Sequence, residues 1–180
     1  MRRANIFAAG RFNTDVVQLA ETLNPSFAAQ LLGGHLVPQS VDNRFRWGSI
    51  DLSRVVSVEH SRYVGRTWGD LLGIHGYRSP LRNVDDPLWE LTKSPAYFIG
   101  RRKKPGWSCY EVDGVYYLMT GYHRSVVGRF FLELNGLSPV VHGVRVATMG
   151  RAAWVSAQRA AQKSSFECMG ENDVCMKAAQ

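Results

Sequence analysis

The chain has 180 residues, 45% of them hydrophobic and 11% aromatic, which suffices for a buried core and excludes a disordered polypeptide. Its formal net charge of +7 favours acidic partners such as nucleic acid, nucleotides or anionic lipid. No apolar run reaches the roughly 20 residues of a membrane span, and the apolar part of MRRANIFAAG is too short for a signal-peptide core.

Thr14 to Leu23 has the apolar spacing of a short amphipathic helix, and Ser26 to Leu32 adds a second turn or two closed by Gly33-Gly34. Residues 35–48 read as a loop in which Arg44, Phe45, Arg46 and Trp47 interleave charge and aromatic rings; a solvated surface is the preferred reading. IDLSRVVSV, Ile50 to Val58, is expected as one strand. Glu59, His60 and Arg62 follow its end, where α/β proteins often place functional groups. Asp85-Asp86-Pro87 starts a helix carrying Leu88, Trp89 and Leu91, which Pro95 ends.

Arg101, Arg102, Lys103 and Lys104 form a basic loop closed by Pro105-Gly106. This run either tracks a nucleic-acid backbone, with Trp107 available for base stacking, or is a solvated hairpin flank. Residues 107–112 and 115–119 fit a hairpin about Asp113-Gly114. Thr120-Gly121 then joins the second strand to a helix with Val126, Val127, Phe130, Phe131 and Leu134 at helical spacing, stopped by Asn135-Gly136. A helix start binds anions through its N–H groups and dipole, and His123 and Arg124 add donors there. Pro139 to Val146 reads as a further strand, and Thr148 as the cap of a helix to about Lys163. His142 is expected as a strand histidine, and Trp68, Trp89 and Trp154 as core. Cys109, Cys168 and Cys175 show no zinc or redox spacing and are expected as reduced thiols.

The stretch LMTGYHRSVVGRFFLELNGLSPVVHGVRV, residues 118–146, resembles the ParB/sulfiredoxin-like superfamily in its strand, glycine turn, apolar helix and Pro-initiated strand. Pro80-Leu81, Val84 and Asp86-Pro87 are similar to the PL-x-x-V-x-D-P block of sulfiredoxins, at a similar spacing upstream. The resemblance implies an α/β (α+β mixed) fold, a small mixed sheet with helices packed on it, over residues 49–163. Residues 1–48 are then an amino-terminal helical addition and 164–180 a flexible tail.

It implies nucleotide binding at Gly121, Tyr122, His123 and Arg124, with Thr92 matching a phosphate-holding hydroxyl. Trp89 stands where sulfiredoxins place a lysine, and Ser79 where they place an arginine, with Arg78 adjacent. Tyr122 occupies the place of their catalytic cysteine, so sulfinic-acid chemistry is not expected. About 34 residues follow Val146, too few for the further domains of chromosome-partitioning members. Stand-alone members include plasmid fertility-inhibition factors of the oncogenic suppression activity type, similar in size and charge. That type implies ATP binding and hydrolysis, DNA cleavage, and suppression of transfer through a conjugative type IV secretion system. Mg²⁺ is the implied metal, and a secretion or coupling protein the implied partner. The expected location is cytoplasmic, including the inner face of the membrane through such a complex.

On this reading His123, Arg124, Glu59 and Glu90 are the expected catalytic residues, with Asp70 a further carboxylate for a metal-assisted nuclease. Two other functions stay open: a non-catalytic basic adaptor that blocks a secretion protein by contact, and a nucleotide-gated DNA-binding regulator.

Overall fold

The computed structural model describes residues 25–37, 45–73 and 96–163. The expected helix over residues 14–23, Arg44, the segment with Arg78, Trp89, Glu90 and Thr92, and the tail with Cys168 and Cys175 lie outside these residues.

A mixed six-stranded sheet organises the protein, in the order β1-β3-β5-β4-β6-β2. Its strands are β1 (Gly33–Gly34), β2 (Arg46–Asp51), β3 (Val55–Val58), β4 (Ser108–Val112), β5 (Val115–Thr120) and β6 (Val140–Met149). β3 runs parallel to β1 and β5, and β4 parallel to β6; the β4–β5 and β2–β6 pairs are antiparallel. The helices are α1 (Pro25–Ala29), α2 (Trp68–Gly73), α3 (Ala96–Ile99), α4 (Tyr122–Leu134) and α5, residues 151–163. Among the described residues no helix is long and apolar enough to cross a membrane. Mixed α/β architecture is therefore as expected. The boundary expected after residue 48, however, falls inside β2, and Gly33–Gly34 already belongs to the sheet.

Each face of the sheet has its own core. On one, Val126 and Phe130 of α4 and Phe98 of α3 pack on Ile50, Val55, Cys109, Leu118 and Val144. Arg129 is buried in that layer, where it pairs with Glu133 at 2.9 Å, meets Gln30 and lies over the Trp68 ring. On the other face, Trp154 and Ala157 of α5 cover Tyr110, Val112, Ala147 and Met149, with the Trp154 ring 4.6 Å from that of Tyr117. Trp68 and Trp154 are thus core, as expected.

Two sequence expectations give way to tertiary pairing. IDLSRVVSV is not one strand. Asp51 Oδ1 accepts from the Ser53 N–H at 2.9 Å and the Ser53 hydroxyl at 2.6 Å, fixing a 3₁₀ turn over Leu52–Arg54. The chain thereby leaves β2 at one edge of the sheet and enters β3 toward the other. Thr148 does not cap a helix either. It pairs with Glu111 in the β4–β6 ladder, which runs on to Met149, and α5 begins only after Gly150. The Asp113-Gly114 hairpin forms as read, with both turn residues at positive φ.

Lys104 fixes the loop between α3 and β4. Its ammonium is buried and donates to the carbonyls of Gly100 at 2.9 Å, Arg102 at 3.2 Å and His142 at 2.7 Å. The Lys104 N–H donates to Gly143 O at 2.7 Å, so the loop lies directly across β6. Gly143 permits this approach: its φ is +73°, and a Cβ there would stand 2.1 Å from Arg102 O. Gly143→Ala is expected to lower the unfolding free energy by at least about 2 kcal/mol, read from the urea midpoint.

His35 is buried beneath α5, with Nδ1 3.0 Å from Ser57 Oγ and its ring 5.7 Å from that of Trp154. Burial lowers its pKa from 6.5 to about 4. The unfolded chain therefore takes up this proton first, and stability falls as pH drops from 6.5 toward 4. The loss from this residue is expected to reach about 3 kcal/mol, and His35→Asn to flatten that part of a stability–pH curve.

Candidate functional site

The carboxyl ends of β3 and β5 lie side by side, because the two strands are parallel and Val58 pairs with Leu118. The Glu59 N–H donates to Leu118 O at 3.0 Å, which carries the ladder one residue past β3. On the other strand, Gly121 alone separates β5 from α4. Gly121 is the helix N-cap, at φ +86° and ψ +23°, and brings no capping side chain. A Cβ on Gly121 would stand 2.6 Å from the Trp107 ring, so only glycine fits both the conformation and the contact.

His60 turns the chain after β3. Its Nδ1 accepts from the Arg62 N–H at 3.2 Å and caps a 3₁₀ turn over Ser61–Tyr63, which directs Tyr63 inward. The Tyr63 hydroxyl lies 2.7 Å from His123 Nε2. Its ring stands 5.7 Å from that of Tyr122 and 5.0 Å from that of His60. The Tyr122 hydroxyl has two acceptors in reach, Met119 O and the Glu59 carboxyl. One carboxylate, two imidazoles and two phenols thus meet at this end of the sheet.

Their protonation follows from partial burial. Burial pushes the Glu59 carboxyl up, while His60 and the Tyr122 hydrogen bond hold it back. The Tyr122 phenol is raised by burial, and the Glu59 and Tyr63 groups add to the effect. His123 is lowered by burial, helped by the positive potential of His60 and Arg62. Its lowered pKa favours the neutral imidazole at pH 7, with Nε2 engaged by Tyr63.

Arg124 points the other way. Its Nη1 lies 3.4 Å from Gly106 O, on the Trp107 side of the helix start. The turn consequently has two flanks: Tyr122 and His123 toward Glu59, and Arg124 toward the loop before β4. Gly121, Tyr122, His123 and Arg124, expected at the nucleotide turn, lie here together with Glu59, expected as a catalytic carboxylate. Arg78, Glu90 and Thr92 fall outside the described residues.

Other expectations are redirected. Asp70 forms a reciprocal cap with Thr67, accepting its N–H at 2.8 Å while Thr67 Oγ1 accepts the Asp70 N–H at 3.0 Å, so this carboxylate belongs to the start of α2. Arg101, Arg102 and Lys103 are exposed, but Lys104 is buried on three carbonyls and leaves the surface group. Trp107 is fully buried and cannot stack on a base. The Cys109 thiol is free and buried, pushed up to about 12 by burial and by Glu111, so it supplies no thiolate. His142 is a strand histidine, bonded through Nδ1 to Ser49 Oγ at 2.7 Å. Among the described residues no group of three or more His, Cys, Asp or Glu could hold a metal ion. A cavity of about 480 Å³, lined by Arg46, Ser49, Glu111, Tyr116 and Thr148 among others, opens at the far end of β5 and includes none of the turn residues.

Tyr63 is the site residue that sequence reading missed. Its signal was present as an aromatic three residues after His60, just past a strand end. Comparison with protein-family models, with curated proteins and with solved structures returns no match to this chain.

Imidazole NMR titration checks the electrostatics. His123 is expected to titrate below 6.5, and Arg62→Gln to move its midpoint upward by removing a neighbouring positive charge.

Proposed function

We propose that the chain is a ParB/sulfiredoxin-like nucleotide module of the plasmid fertility-inhibition type. It binds and hydrolyses ATP at the α4 turn and cleaves DNA, suppressing transfer through a conjugative type IV secretion system from the cytoplasmic side. The observation that carries this reading is the position of Glu59. A carboxylate more than sixty residues upstream lies against Tyr122, beside the helix start that the resemblance marks for phosphate.

The chemistry divides along the two flanks of the turn. The α4 N-terminus and the Arg124 guanidinium hold the phosphates. Neutral His123, oriented by Tyr63, offers its remaining ring nitrogen as a hydrogen-bonding group. Glu59, with a raised pKa and a hydroxyl neighbour, takes the proton of the attacking water. Mg²⁺ bound by ATP would be held mainly by phosphates and water, since among the described residues no group of three or more His, Cys, Asp or Glu could hold a metal ion. It would neutralise phosphate charge there.

The non-catalytic adaptor is the second reading. It is favoured by the Tyr63–His123 bond, which occupies one imidazole nitrogen, and by the lean of Arg124 toward Gly106.

Calorimetry and phosphate release separate the two. Arg124→Ala is expected to weaken ATP binding at least about ten-fold. Glu59→Gln is expected to keep ATP affinity within about two-fold and to slow phosphate release by roughly 10² or more. Unchanged ATP affinity in Arg124→Ala would remove the site. Wild-type protein that releases no phosphate and nicks no plasmid, yet still suppresses transfer, would establish the adaptor.

A further inference from the structure

Two sequence features that stand more than fifty residues apart, the Arg/aromatic segment around Trp47 and the basic run at 101–104, meet on the β2–β6 side of the sheet. Lys104 and Gly143 bring them together. With Lys104 buried on His142 O and the loop lying over Gly143, Lys103 Nζ sits 5.4 Å from the Trp47 ring centroid. Trp47 pairs with Arg145 across the β2–β6 ladder, and the Arg145 guanidinium lies 4.8 Å from the Phe45 ring centroid. Trp47 keeps 43% of its surface exposed; Lys103 and Arg145 beside it are exposed, as are Arg101 and Arg102 in the loop that carries Lys103. Among the described residues none of these four cations forms an ion pair with a carboxylate.

Such an arrangement is unlike an ordinary solvated loop in one respect. A large indole on an edge strand is left half open to water, with Lys103 over its ring and Arg145 opposite it in the ladder. An aromatic face can stack on any base, and the surrounding cations can take the adjoining phosphates. Duplex DNA hides its base faces within its own stack, so the indole has nothing to meet there. We infer that Trp47, with Arg101, Arg102, Lys103 and Arg145, forms a stacking surface for single-stranded nucleic acid. This deepens the DNA-binding part of the proposed function, and it moves the stacking role from buried Trp107 to Trp47. Lys104 is a positioning residue: it holds the loop so that Lys103 and Trp47 share one surface.

The test uses the full-length protein, without nucleotide and in EDTA, with fluorescently labelled oligo(dT) and the same strand annealed to oligo(dA). The single strand is expected to bind more tightly than the duplex. Trp47→Ala is expected to weaken oligo(dT) binding about ten-fold or more, with Trp47→Phe retaining most of the affinity. Lys103→Ala is expected to lower the slope of log K against log salt by about 0.7. Thermal melting verifies that each variant folds, and Lys103→Glu on the exposed loop gives a second loss-of-binding variant. The inference is overturned by duplex binding as tight as single-strand binding, by unchanged affinity in Trp47→Ala, or by displacement with polyglutamate as effective as with oligo(dT). ATP affinity on the same preparations keeps the two proposals apart. Protein that binds oligo(dT) but not ATP retains this surface and loses the nucleotide turn, and the converse result removes only this surface.

Discussion

The site exists because β3 and β5 are parallel neighbours. An antiparallel pair would send their carboxyl ends to opposite sides of the molecule. The parallel pairing, continued by the 3.0 Å bond from the Glu59 N–H to Leu118 O, sets Glu59 beside the start of α4. Side chains alternate along a strand, so a slip of one residue would turn Glu59 away from Tyr122. Gly121 contributes the other half of the constraint. Because one left-handed residue joins β5 to α4, the helix N-terminus opens at the same sheet end and faces the residues that follow β3. Burial at this end then raises Glu59 and lowers His123, in each case favouring the neutral form.

The second constraint is a charge placed where few proteins place one. Lys104 is only 2% exposed, and no carboxylate is among its hydrogen-bond partners. Three carbonyl oxygens satisfy the three ammonium hydrogens, each bond to a charged donor being worth roughly 1.5–3 kcal/mol against the cost of desolvation. Burial lowers the Lys104 pKa, the expected mark of that cost. What the protein gains is geometry. The loop is fixed over Gly143, and Arg101, Arg102 and Lys103 are presented outward, with Lys103 over the Trp47 ring.

Local chemistry was legible in the sequence, and tertiary competition was not. Asp113-Gly114 encodes its hairpin in two residues, and the apolar spacing of Val126, Val127 and Phe130 encodes α4, so both formed where expected. IDLSRVVSV carries strand propensity throughout, but the Asp51 side chain competes with the ladder and splits it. Thr148 is a sound helix cap in isolation, yet pairing with β4 holds it in a strand. Within the basic run, no local pattern distinguishes buried Lys104 from exposed Lys103, since the distinction lies in carbonyls supplied by residues around position 142. Trp107 is buried, against the stacking reading, and Trp47 is exposed, in line with the solvated one, because each exposure is set by the chain packed beside it.

Trp107 joins the two surfaces. Its ring fills the space left by the missing Gly121 side chain, its backbone N–H donates to Lys104 O at 3.0 Å, and its backbone carbonyl accepts from the Arg145 N–H at 3.0 Å. The glycine of the turn therefore meets the Trp107 indole, while the lysine that fixes the basic loop and a cation of the Trp47 surface are bonded to the Trp107 backbone. A nucleotide-gated regulator needs an element with two arrangements between its sites, so that each ligand can bias the same equilibrium. A fully buried indole set against Gly121, on a backbone bonded to Lys104 and Arg145, is unlike such an element, because buried side chains shift little without loss of contact. The packing thus weighs against gating and in favour of two surfaces held at a constant separation. In that arrangement a strand on Trp47 and a nucleotide at Arg124 would be bound independently, and their combination would serve by placing both ligands on one small, rigid module.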